Sequence, residues 1–167
     1  MPRGIRPTQD KVRKAVFDII PDIAGLSFLE LFAGSGAIGF EAISRGVSEL
    51  TLVENKRECI MAIRQNIGSL GLGRCRLLES DADKGLETLG KQGKRFDIVF
   101  LDPPYYLGMA KKILQNIGAY DIVAHNGLVI VQHFKRDNLP ESEGGLILCK
   151  QARYGDTLLS FYRQGGR

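Results

Sequence analysis

Phe96-Asp97-Ile98-Val99-Phe100-Leu101 runs straight into Asp102-Pro103-Pro104-Tyr105: an acid, two prolines and an aromatic ring in consecutive positions. Ile98 to Leu101 are apolar without alternation, the pattern of a parallel-sheet strand buried on both faces. Pro103 has no N–H for a ladder, so the strand stops there, and Pro104 biases Pro103 toward extended backbone. Asp102 and Tyr105 are therefore held on a stiff loop at the carboxyl end of a strand, the edge where open α/β sheets bind ligands. Such a loop suits chemistry at an exocyclic amine, whose lone pair is delocalised into its ring. Asp102 and the Pro103 carbonyl would both accept hydrogen bonds from the nitrogen, pull it toward a pyramidal geometry and stabilise developing positive charge. Tyr105 offers a flat face for an unstacked base, worth roughly 1–3 kcal/mol.

Gly34-Ser35-Gly36-Ala37-Ile38-Gly39 follows an expected strand and opens an expected helix, where glycines permit a tight turn and a close approach of ligand to backbone. Glu54 stands twenty residues after Gly34, at the end of the next expected strand, placed to accept from both hydroxyls of a ribose. These features alone fit NAD as well as S-adenosylmethionine. The absence of a second domain for a dehydrogenase substrate favours the second. So does Asp81, which follows the third strand, where an adenine amine would lie; the same acid could also cap a helix. Glu30 reads equally as a partner for nearby backbone N–H groups.

The elements that must position these groups alternate. Helices are expected over Thr8 to Ile20 (capped by Thr8 and closed by Pro21), from the glycine loop to about Arg45, from Lys56 to about Leu70, from Ala82 to Leu89 and from Met109 to about Ile117. Strands are expected over Leu26 to Phe32, Leu50 to Val53, Cys75 to Leu78, Phe96 to Leu101 and Gly127 to Val131, then Leu146 to Ala152 and Thr157 to Tyr162 as a hairpin. Alternation of β and α predicts a parallel sheet with helices on both faces, ending antiparallel. His125 falls in the loop before the fifth strand, and His133, at that strand's end, is read as structural.

With 167 residues the chain is expected to be one domain, and no apolar run reaches the roughly 20 residues of a membrane span. Net charge is +4, and Arg3, Arg6, Lys11, Arg13 and Lys14 crowd the start, which leans toward a polyanionic partner. Cys59, Cys75 and Cys149 have no metal-ligand spacing and read as reduced, buried thiols of a cytoplasmic protein.

The glycine loop, Glu54, Asp81 and the Asp-Pro-Pro-Tyr tetrad resemble the motifs of class I S-adenosylmethionine-dependent amino-methyltransferases. Arg6-Pro7-Thr8, Val12-Arg13, Leu29-Glu30-Leu31-Phe32-Ala33-Gly34-Ser35-Gly36, Ser44-Arg45-Gly46 and Tyr154-Gly155-Asp156-Thr157 are similar to the RsmD-like bacterial family that methylates guanine N2 in 16S ribosomal RNA. The resemblance implies a Rossmann-like, seven-stranded sheet with the last strand inserted antiparallel. It implies cofactor contacts from Glu30, Phe32, Ala33, Gly34, Gly36, Glu54, Asp81 and Ala82, and catalysis at Asp102, Pro103, Pro104 and Tyr105. It also implies rRNA contacts from Arg3, Arg6 and Arg13, and a substrate presented as 16S rRNA or the small subunit. A monomer without metal, acting in the cytoplasm, is expected. The rival readings are a methyltransferase for adenine N6 or another nucleic-acid amine, a non-catalytic RNA-binding relative, and an NAD-dependent enzyme.

Overall fold

The computed structural model describes residues 7–20, 22–71, 73–105 and 108–165, without the side chains of residues 7 and 8. Arg3, Arg6, Pro21 and the Thr8 cap lie outside the described residues. The elements are α1 (Pro7–Ile19), β1 (Ser27–Leu31), α2 (Ala37–Ser44), β2 (Glu49–Glu54), α3 (Arg57–Leu70), β3 (Cys75–Glu79), α4 (Ala82–Lys91), β4 (Phe96–Leu101), α5 (Met109–Ala119), β5 (Val123–Phe134), β6 (Ser142–Glu143), β7 (Leu146–Tyr154) and β8 (Thr157–Gln164).

One eight-stranded sheet runs in the order β3-β2-β1-β4-β5-β8-β7-β6. The pairs among β1 to β5 are parallel, and β5–β8, β7–β8 and β6–β7 are antiparallel. The last strand is thus inserted antiparallel between β5 and β7, as expected. The expected count of seven is exceeded by β6, a two-residue strand too short to show periodicity. The strand order reverses between β1 and β4, which opens the ligand crevice of a doubly wound sheet there.

Both faces of the sheet are covered, which explains the unbroken apolar strands. On one face, Val12, Val16 and Phe17 of α1, Ala42 of α2 and Ile63 of α3 pack on Phe28, Leu50, Ile98, Phe100 and Ile130. On the other, Leu86 and Leu89 of α4 and Ile113, Leu114 and Ile117 of α5 pack on Leu29, Leu31, Val53, Val99 and Leu101. At the start of the central pair, Asp97 Oδ2 accepts from Ser27 N (2.9 Å) and Ser27 Oγ (3.1 Å), which fixes the register of β4 against β1.

Two expectations on β5 are corrected. The strand begins at Val123, so His125 lies within it and not in the preceding loop. The sequence hides this because Asn126 has φ 61° and the β4–β5 register slips between Phe96 and Ile98, an irregularity inside the strand that resembles a turn. The thiols also differ: Cys59 and Cys75 are half-buried and Cys149 is exposed, although all three are free as expected. His133 is structural in its contacts: its Nδ1–H donates to the Phe134 carbonyl (3.1 Å), and its Nε2 accepts from Ser160 Oγ (2.7 Å). Burial holds its pKa below the usual imidazole value, so the ring is neutral. Among the described residues, no helix is long and apolar enough to cross a membrane.

Candidate active site

The parallel register lays the candidate residues in one row. Leu31 pairs with both Val53 and Leu101, and Leu101 pairs with Val131. The next residue of each strand therefore stands at the same height: Glu54, Phe32, Asp102 and Gln132 succeed one another along the carboxyl edge. Strands lie about 4.8 Å apart, so Glu54 and Asp102 are separated by roughly 10 Å across β1.

Phe32 is the first departure from the expected strand. It lies beyond β1, with φ 55°, left-handed backbone that bulky residues seldom adopt. Strain of this kind is held only where the surroundings over-determine it. Ala33 N donates to Val53 O (3.1 Å), and Gly36 N to Ala33 O (2.8 Å), which closes the turn into α2. Gly36 takes φ 82°, and a Cβ there would stand 2.7 Å from the Phe40 ring, so glycine is required twice over.

The acids differ in their settings. Glu54 Oε1 accepts from Gly34 N (2.7 Å), and Oε2 from Asn55 N (2.9 Å) and Lys56 N (3.0 Å). A carboxylate offers about four acceptor sites, so backbone N–H groups occupy most of them. The expected two-hydroxyl grip on a ribose would therefore share oxygens with the turn that Glu54 already organises. Glu30 is buried beneath the glycine loop, and its Oε2 accepts from Gly39 N at 2.8 Å. Burial, with Asp102 and Glu54 adding to it, pushes its pKa up to about 8 against the pull of that hydrogen bond. Asp81 caps α4, accepting from Lys84 N at 2.8 Å, and it also lines a cavity with Glu54 and Ala82. Both readings of Asp81 are thus compatible.

Three cavities meet at Asp102. One of about 390 Å³ lies between Glu54, Asp81, Ala82, Met109 and Ile113. A second, about 230 Å³, runs under Phe32, Ala33 and Gly34 to Glu30. The third, about 400 Å³, is walled by Asp102, Pro103, Pro104 and Tyr105. Asp102 lines all three, half-buried, and burial lifts its carboxyl to about 6. Pro103 is buried, whereas Pro104 and Tyr105 are exposed; Tyr105 keeps 60% of its surface, so its ring is open to a partner.

Arg13 lines the Glu30 cavity from α1 and pairs with Asp10 at 3.0 Å. Two residues outside the expected set also belong to the site: Gln9 of α1 and Gln132 of β5 each line both the Glu30 and the Asp102–Tyr105 cavities. Gln132 becomes visible only when the strand order places β5 beside β4.

Three comparisons extend the geometry. The family model described as Conserved hypothetical protein 95 matches residues 1–163. The "Putative rRNA methyltransferase YlbH" of Bacillus subtilis (strain 168) is 34% identical over 163 residues, 96% of this chain and 89% of that protein. The "Ribosomal RNA small subunit methyltransferase D" of Escherichia coli (strain K12) is 30% identical over 162 residues, 96% of this chain and 80% of that protein. A solved structure titled "Putative methyltransferase yhhF from Escherichia coli" superposes with a TM-score of 0.88 at 30% identity, covering 99% of this chain and 91% of that one. A match of this extent, on a sheet with the expected inserted last strand, means that the chain belongs to the RsmD-like family described as Conserved hypothetical protein 95.

Proposed function

We propose that this protein is an S-adenosylmethionine-dependent methyltransferase acting on the exocyclic N2 amine of a guanine in 16S rRNA of the small ribosomal subunit. The observation that carries the reading is the position of Asp102, the shared wall between two cavities on the acid side and one on the tetrad side. The residues fit the cofactor. Glu30, Glu54 and Asp102 border the first two cavities, so three acids stand where a ligand carrying positive charge would lie. Met109 and Ile113 supply an apolar wall for an adenine, with Asp81 at its edge. When bound, S-adenosylmethionine supplies an activated methyl group on a sulfonium, so no metal is called for.

The chain's own residues do the rest. Tyr105 stacks the extruded base, and the prolines keep its loop from relaxing. Asp102 and the Pro103 carbonyl accept the two amine N–H bonds, which directs the lone pair toward the cofactor-side cavities. As the nitrogen gains charge, the Asp102 carboxylate stabilises it; the surplus proton leaves to water. The whole chain serves as one methyltransferase domain in this reading, and its rRNA substrate places the reaction in the cytoplasm.

The test is transfer of labelled methyl from S-adenosylmethionine to small subunits lacking the modification, followed by mapping of the labelled nucleotide. Label on guanine N2 is expected; label on an adenine would replace the assignment of the base. Asp102→Ala should lower kcat by about a hundred- to a thousandfold, the scale of losing a preorganised electrostatic contact, and weaken S-adenosylmethionine by a much smaller factor, since Asp102 only borders its cavities. Equal loss of both would remove Asp102 from the reacting amine.

A further inference from the structure

The turn Tyr154-Gly155-Asp156-Thr157 takes no part in the chemistry above, yet its last residue borders the tetrad cavity. Thr157 lines that cavity together with Tyr105 and pairs in the sheet with Phe134, the last residue of β5. Lys135 ties the two ends together: its N–H donates to Asp156 O (2.8 Å), and its Nζ pairs with Asp156 Oδ1 (2.8 Å). Lys135 first, then Arg153 and Arg136, hold the Asp156 carboxyl below its usual range. One carboxylate therefore faces three cations. Arg153 spends Nε on Gly155 O (2.9 Å). Arg136 is exposed, stands 6.0 Å from the centroid of the Phe134 ring and forms no ion pair among the described residues. Phe134 in turn lies 6.0 Å from the Tyr105 ring, tilted by 42°. Tyr105, Phe134 and Arg136 thus form a ladder from the tetrad out to solvent. Asp137, next to Arg136 in sequence, adds a second carboxylate to set against Lys135, Arg136 and Arg153.

We propose that Arg136 and Arg153, flanking the β7–β8 turn, grip the phosphodiester backbone of the nucleotide next to the one that enters the tetrad cavity. The inference rests on the rRNA reading above. A guanidinium held over an aromatic ring keeps its N–H fork free, and that fork matches a phosphate in two parallel hydrogen bonds. The corner has what a flanking phosphate needs: excess positive charge, exposure and, for Arg136, a place two residues beyond the end of β5, whose Gln132 lines the substrate cavity. Phe134 acts as the platform that aims Arg136, so it is a positioning residue.

The experiment compares Arg136→Glu, Arg153→Glu and a remote control, Lys91→Glu, in labelled methyl transfer over a range of salt, both to unmodified 16S rRNA and to small subunits lacking the modification. Each arginine reversal should raise KM for RNA at least about tenfold, leave kcat at saturation within about twofold, and flatten the slope of log affinity against log salt by about 0.7 or more. Affinity for S-adenosylhomocysteine and the thermal midpoint should stay at wild-type values, and Lys91→Glu should change none of these. Phe134→Leu, which keeps an apolar side chain, should raise KM in the same direction by a smaller factor. Wild-type transfer with unchanged KM and salt slope in both arginine variants overturns this inference and leaves the methyltransferase reading standing. Failure of the wild type to methylate any rRNA overturns both.

Discussion

Asp102 must accept a hydrogen bond from an amine, and only its ionised form has both oxygens free to do so. Burial lifts its carboxyl to about 6. Activity should therefore be level above that pH and fall about tenfold per unit below it, read as kcat on a fixed RNA substrate. A profile flat down to pH 5 would argue that Asp102 does not act as the carboxylate. The same shift bears on folding. With the folded-state pKa raised, the stability contributed by Asp102 is full below the ordinary carboxylate range and is lost as pH rises through about 6. The site therefore works under conditions where its main acid opposes the fold, as expected of a carboxylate held for chemistry. At this scale the sequence was legible where residue type carries the chemistry. The Asp-Pro-Pro-Tyr run and the spacing of Gly34 to Glu54 need no coordinates. Phe32 was not legible as a left-handed residue, because aromatic side chains carry no signal for that backbone. Gln132 was legible only as part of a strand.

Gly39 shows how tightly an element is bound to the site. Its N–H serves Glu30, and a Cβ there would stand 2.7 Å from Leu52 Cδ2, 2.9 Å from Glu30 Oε2 and 2.9 Å from Leu50 Cδ1. All three neighbours are buried side chains. Alanine favours a helix interior by about 1 kcal/mol over glycine, but overpacking costs about 1–3 kcal/mol. Gly39→Ala should therefore destabilise the protein by up to about 2 kcal/mol in urea unfolding and weaken cofactor binding through the displaced Glu30. A stabilising result with unchanged cofactor affinity would mean that α2 can move off the sheet. Element boundaries were legible where a residue forbids continuation, as Pro103 does after β4. They were blurred where the backbone departs from regularity without a breaker, as at Asn126 inside β5, or where an element is too short to repeat, as in β6.

The acid-side cavities span β2, β1 and β4 and reach α4 and α5, so one ligand there fastens parts of the chain far apart in sequence. S-adenosylhomocysteine at a hundred times its Kd should add about 2.7 kcal/mol of stability and raise the thermal midpoint by roughly 5–10 °C. NAD at the same concentration should leave it unmoved; a shift with NAD alone would remove the cofactor assignment. The expected order of helices and strands survived at this scale because alternation of β and α dictates a parallel sheet. The insertion of β8 did not follow from pattern and was read through the family likeness. That insertion has a consequence for biosynthesis. Strand β8 joins β5 to β7 yet follows both along the chain. A ribosome must release residues up to Gln164 before β5 gains its second neighbour. Until then Leu128 to Phe134 presents an unpaired, largely apolar edge to the cell. The nascent protein therefore passes through a window of aggregation risk in which chaperones would find their clearest target on this strand.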